Sequence, residues 1–164
     1  MIIRDEDADD AAAIEALTRA AFAQAEHADG TEHLIIRRLR AAGALTLSLV
    51  AADEAALLGH VAVSPVSLSD GRPGWHGLGP ISVRPSRQGR GIGAALMQAA
   101  LARLRHQGAA GCVLLGDPAY YGRFGFTADP KLVLRGVPPA YFQALSLDGS
   151  RPRAQVTYHP AFSA

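Results

Sequence analysis

The chain has 164 residues, 49% of them apolar and 19% charged, and its 16 Lys+Arg against 15 Asp+Glu leave a formal charge of +1. That is chain enough for one domain, at roughly 100–200 residues each, and too apolar for an intrinsically disordered segment. The balanced charge excludes the basic footprint of a nucleic-acid binder, and no apolar run approaches the roughly 20 residues of a membrane span.

The first ten residues, MIIRDEDADD, are acidic and lack a basic stretch followed by an apolar one, so they do not read as a secretory signal. Met1–Arg4 reads as a short strand. Five of the six residues Asp5–Asp10 are acidic, and at a helix start such carboxylates cap free amides and offset the dipole. The helix itself is expected over Ala11–Gln24, with Ile14, Leu17, Ala21 and Phe22 at helical spacing. A second helix is expected from Thr31 to Ala42, with Thr31 as its cap and Leu34, Ile35 and Leu39 on its apolar face. Arg37, Arg38 and Arg40 face solvent, and Gly43 ends the helix.

Three strands follow, at Leu45–Ala52, Leu57–Leu68 and Trp75–Val83. The short links Asp53–Ala56 and Ser69–Gly74 make them an antiparallel row. Pro65 suggests an edge or a bulge in the second. An amphipathic helix then runs over Ile92–Arg105, and a short apolar strand over Cys112–Leu115. Strand, helix and strand of these lengths make a parallel crossover. Tyr141–Leu147 and Ala154–His159 supply two more strands. The expected fold is α/β: one mixed sheet of about seven strands, flanked by helices, in a single domain over residues 1–164.

Between the strand ending at Val83 and the helix from Ile92 lies a loop with Gly89, Gly91 and Gly93 at alternate positions. Glycine amides can approach a ligand closely, and a helix start offers unpaired N–H groups with a partial positive charge. Together they form a site for phosphate or pyrophosphate, and Arg87 and Arg90 add charge-assisted contacts. The Lys and Ser/Thr of a P-loop are missing. Gly89, Gly91 and Ala94 satisfy a dinucleotide fingerprint, but residues Ala109–Gly116 carry no acid to meet a ribose.

The run Gln88-Gly-Arg-Gly91-Ile-Gly93 resembles the acetyl-CoA signature Q/R-x-x-G-x-G/A of the GNAT superfamily of N-acetyltransferases. Leu78–Pro85 looks like that family's fourth strand, and Tyr121-Gly-Arg-Phe-Gly-Phe126 like its Y-x-x-x-G-F segment. The run 115–126, with Tyr158–Phe162 near the end, is similar to a small bacterial branch of predicted N-acetyltransferases. The resemblance implies acetyl-CoA as co-substrate and direct attack of an amine on its thioester. Ile81, Ser82 and Val83 lie on the strand that holds pantetheine, with the amides and carbonyls of Ile81 and Val83 pairing with it. The pyrophosphate falls on the amides of Gln88, Gly89, Arg90, Gly91, Ile92, Gly93 and Ala94, beside Arg87. Tyr121 matches the tyrosine that serves the departing sulfur, with Tyr120 as the alternative register.

No acid lies on Trp75–Val83 to act as general base. His76, Glu32 and His33 are the candidates, beside an ordered water or an amine that arrives neutral. A domain that binds acyl-CoA without turnover is the alternative reading. The acceptor is a small-molecule or protein amine, and a homodimer is compatible with the family. The six histidines show no metal-ligand spacing, so no metal is expected. Cys112 reads as a small core residue, and one cysteine without a mate suits the reducing cytoplasm.

Overall fold

The computed structural model describes residues 1–23, 25 and 28–163. In chain order the elements are β1 (Ile2–Asp5), α1 (Ala11–Phe22), α2 (Glu32–Ala41), β2 (Leu47–Ala52), β3 (Leu57–Pro65), β4 (Ser67–Leu68), β5 (Trp75–Val83), α3 (Ile92–His106), β6 (Gly111–Leu115), α4 (Pro118–Tyr121), β7 (Leu132–Val133), β8 (Phe142–Ser146) and β9 (Ala154–Thr157). Six strands form the main sheet in the order β1-β2-β3-β5-β6-β8. Within it only β5 and β6 run parallel, joined by α3 as the expected crossover. The mixed α/β architecture agrees with the sequence reading, but the main sheet has six strands rather than about seven. The stretch read as one strand to Leu68 breaks at Val66, and Ser67–Leu68 pairs with Thr157–Val156. That pairing draws β9, the expected last strand, into a separate three-stranded sheet with β4 and β7. The end of the first helix at Gln24 lies outside the described residues.

One face of the main sheet packs on α3. Leu96, Met97, Ala100, Leu101 and Leu104 meet Leu47, Leu49, Val61, Val63 and Leu114 there. The other face is shared. Ile14 and Leu17 of α1 and Ile36 of α2 cover Val50 and Ala62 at the β2–β3 end. The small sheet covers Trp75, Val113 and Phe142 at the β5–β8 end.

The acids of the N-terminal segment hold the chain together. Asp10 accepts the Asp7 amide at 2.7 Å and pairs with Arg4 at 2.7 Å. Asp5 pairs with Arg103 of α3 at 3.0 Å. Glu6 receives both Nε and Nη2 of Arg40 and the Ser48 hydroxyl. Burial opposes the charged form of Glu6, but the hydrogen bonds from Arg40 and Ser48 hold its carboxyl below the usual range.

The Glu6 chain continues inward to a histidine that the strand pattern concealed. His60 of β3 is fully buried beneath α1, and its Nε2 lies 2.8 Å from Ser48 Oγ. Because Ser48 donates to Glu6, its oxygen accepts from His60, which places the ring proton on Nε2. Burial is the main reason the imidazole is pushed down to about 4, with Glu6 partly opposing and Arg40 assisting. An unfolded chain, with the ordinary value of 6.5, therefore binds more protons between these limits. Stability is full above pH 6.5 and falls as the pH drops towards 4. The loss due to His60 amounts to at most about 3 kcal/mol. Urea midpoints of His60→Asn should change less between pH 7 and pH 4.5 than those of the parent, and equal slopes would refute the assignment.

Candidate active site

β5 and β6 pair over only three residues, Trp75↔Gly111, His76↔Cys112 and Gly77↔Val113. Beyond Gly77, β5 stays with β3, while β6 stays with β8 as far as Leu115↔Phe142. The two strands part and leave a gap. The cause lies in β5. Val61 pairs with Ile81 and Val63 with Leu78, so β5 carries one extra residue opposite Ala62. Gly79, at φ +130, occupies that bulge, and Pro80 has no N–H to give. The bulge resets the alternation, so that Leu78, Ile81 and Val83 all pack on the α3 face.

Arg84 N–H donates to the Leu58 carbonyl at 2.8 Å. Stepping back two residues along the antiparallel ladder, Ser82 and His60 form the next hydrogen-bonded pair. The backbone groups of Ile81 and Val83 therefore point the other way, into the gap. The three residues singled out on this strand thus divide: Ile81 and Val83 face the gap with no strand paired to them, while Ser82 binds β5 to β3 and buries its side chain.

The glycine loop lies at the open end of the gap. Pro85–Arg87 forms one 3-10 turn, and α3 starts at Ile92 with Gly91 as its cap at φ +82. Gly89 is also left-handed, at φ +77, and no heavy atom lies within 4 Å of a Cβ built on either glycine. Gln88, Gly89, Arg90 and Gly91 are exposed, and the Gln88 amide closes the 3-10 turn on the Pro85 carbonyl at 3.5 Å. The Gln88 side-chain amide donates to the Val83 carbonyl at 3.3 Å. Ile92 buries its side chain in the α3 core and contributes only its backbone to the loop. Gly93 and Ala94 complete the first turn. Arg87 turns towards the β2–β3 hairpin, 3.9 Å from Asp53, whereas Arg90 stands in solvent at the mouth.

Two tyrosines from α4 close the other side. Asp117 caps α4 by accepting the Ala119 amide at 2.9 Å. Tyr120 reaches across, its hydroxyl 3.5 Å from the Cβ position of Gly93, and Arg123 lies over its ring at 4.5 Å. Tyr121 turns inward against Gly116 and the α3 core, its ring centre 6.5 Å from that of Phe126. Burial, and then the neighbouring Tyr120, raise the Tyr121 phenol above its ordinary value. It therefore stays protonated at neutral pH and can donate.

The candidate bases are scattered. His76 lies at the paired end of β5, two residues before Leu78 and on the α3 face, and burial lowers its ordinary value. Glu32 accepts the Asp29 amide at 3.2 Å as a helix-start contact. His33 lines a separate cleft with Arg19 and Phe22. No Asp or Glu lies on β3, β5, β6, β8 or β9. Among the described residues, no group of three His, Cys, Asp or Glu side chains is placed to hold a metal.

A family model described as acetyltransferase (GNAT) matches residues 11–126. An uncharacterised N-acetyltransferase of Escherichia coli, YhbS, is 40% identical over 127 residues, covering 77% of this chain and 73% of YhbS. A GNAT family acetyltransferase from Brucella melitensis, solved with acetyl-CoA, is 48% identical, with a TM-score of 0.88 over 98% of this chain and 97% of that one. The structure of YhbS from Escherichia coli with CoA superposes with a TM-score of 0.88 at 35% identity, covering 99% and 92%.

The inward placement of Tyr121 depends on a missing side chain. A Cβ on Gly116 would stand 2.3 Å from Tyr121 Cε2 and 2.7 Å from its Cδ2. Gly116→Ala should therefore cost roughly 1–3 kcal/mol of stability as the ring is displaced. Denaturant unfolding measures this, and an unchanged midpoint would mean that the ring does not pack where it stands.

Proposed function

The chain belongs to the GNAT acetyltransferase family, and on that premise we propose that it moves an acetyl group from acetyl-CoA directly to a primary amine in the gap between β5 and β6. The observation that carries this reading is the β5 edge at Ile81 and Val83, which no strand pairs and which runs straight into the amide-rich start of α3. A pantetheine arm has amide groups of its own and suits such an edge as an added strand would. The empty space over Gly89 and Gly91 leaves room for a pyrophosphate against the amides from Gln88 to Ala94. Arg90 adds charge at the mouth. Arg87 stands further off, held towards Asp53.

Acetyl-CoA supplies the activated thioester. As the amine forms its C–N bond to the acetyl carbon, the C–S bond breaks and the sulfur takes a proton. Tyr121 supplies that proton from a phenol kept neutral by burial. No carboxylate stands on the surrounding strands, so the proton lost by the amine passes to water, which returns one to the Tyr121 phenolate. Holding both reactants in one gap supplies much of the rate gain. The single buried cysteine, Cys112, fits a protein that works in the cytoplasm.

Two experiments test the reading. At Gly91, Asn and Asp both strain the left-handed backbone, but only Asp adds negative charge. Gly91→Asp should bind acetyl-CoA about tenfold more weakly than Gly91→Asn by calorimetry. Equal affinities would remove the phosphates from this loop. Tyr121→Phe keeps the ring and removes the proton, so turnover should fall by roughly 10²–10⁴-fold with acetyl-CoA affinity unchanged. Tyr120→Phe serves as the control. A silent Tyr121→Phe beside a damaging Tyr120→Phe would transfer the role to Tyr120.

A further inference from the structure

The α3 face of the gap is filled by α3 and the residues packed beneath it. An acceptor must therefore reach the gap from the face that carries α1, α2 and the small sheet. On that face stands Tyr158. Its ring carbons Cε1 and Cζ lie 3.3 and 3.6 Å from a Cβ built on Gly77, the last residue of β5 paired with β6. Val66 Cγ1 lies at 3.2 Å from the same point, and Phe162 backs the ring at a centroid distance of 5.0 Å. The absence of a side chain at Gly77 is what lets Tyr158 sit at the closed end of the gap. Burial raises the Tyr158 phenol well above its ordinary value, so the ring stands there uncharged.

The opposite lip is apolar too. Leu115 ends β6, two residues after Val113 and on the same face, and is 45% exposed. Tyr141 beside it is 47% exposed, and its carbonyl accepts the Gly116 amide at 3.0 Å. No carboxylate rises from β3, β5, β6, β8 or β9. The nearest acid in sequence, Asp117, is occupied as the α4 cap. A polyamine or a lysine-rich peptide carries charges that need acidic partners, and the strands and lip bordering the gap supply none among the described residues.

Resting on the acetyl-transfer reading of the gap, we infer that Tyr158 and Leu115 form the acceptor wall and select a small primary amine with an aromatic or other apolar body. The amine-bearing end reaches the closed end of the gap, while the apolar body packs between the Tyr158 ring and Leu115. Contact with an aromatic face suits both the body and a nearby ammonium.

The test uses the full chain saturated with CoA, with phenethylamine and spermidine as probes in calorimetry. Phenethylamine should bind at least tenfold more tightly than spermidine. Tyr158→Ala should weaken phenethylamine roughly tenfold or more, and Tyr158→Phe should leave it nearly unchanged. Leu115→Glu, at an exposed position that does not threaten folding, should shift the preference towards spermidine, and it decides the matter if Tyr158→Ala fails to fold. Equal or tighter spermidine binding by the parent overturns the inference. So does phenethylamine binding that neither Tyr158→Ala nor Leu115→Glu alters. Release of CoA thiol from acetyl-CoA is followed in parallel. Phenethylamine binding without thiol release would support the wall and refute the acetyl-transfer reading. Thiol release with other amines, without phenethylamine binding, would do the reverse.

Discussion

Everything at the site follows from the parting of β5 and β6 after three paired residues. Each strand is held on its outer side, β5 by β3 and β6 by β8, along nearly its whole length. The bulge at Gly79–Pro80 bends β5. Unpaired backbone groups in a partly buried place cost free energy comparable to a lost hydrogen bond. The sheet carries that cost in the middle rather than at an edge, where water would relieve it freely. A ligand with amides of its own recovers it. The same parting opens the gap on one face only, because α3 crosses behind it and fills the other.

The helix that fills the back also sets the front. Six buried side chains, Ile92, Leu96, Met97, Ala100, Leu101 and Leu104, fix α3 against the sheet. Its first turn is therefore held in place before any ligand arrives, and a preorganised set of amides binds without an ordering cost. Ile92 joins the two functions, with its side chain in the core and its amide in the loop. Gly91 in the left-handed region allows the chain to leave the 3-10 turn and enter α3 with the amides turned outward. Core packing and anion binding are two consequences of one helix position.

Much of this was legible in the residues. Trp75–Val83 matched its strand to the residue, and the α3 start at Ile92 followed from the glycines and the apolar stripe. These are local signals. What sequence reading missed is non-local. Ser67–Leu68 has the alternation of a continuing strand, but its partner is Val156–Thr157, about ninety residues on, and that pairing splits a second sheet from the first. The two-residue strand Leu132–Val133 has too little pattern to be seen at all. His60 was passed over inside an apolar strand, although a lone histidine among Leu, Val and Ala was itself the signal. Tyr158 could be noticed only as part of a motif, because its importance depends on the side chain missing at Gly77.

The distribution of acids links the fold to the chemistry. The chain uses its N-terminal carboxylates structurally: Asp10 on Arg4, Asp5 on Arg103, and Glu6 on Arg40 and Ser48. Carboxylates so paired are committed to holding the fold rather than to a reacting amine. The strands around the gap carry none, while the α3 start and Arg90 make its mouth positive. Such a field favours a polyanionic co-substrate and disfavours a second cation entering beside it. On the proposed activity, the amine therefore reacts in its neutral form, and the solution rather than a protein base removes its proton. A surface without carboxylates can still hold an amine if it grips the rest of the molecule, and the rings and aliphatic side chains at Tyr158, Val66 and Leu115 are the groups available to do so.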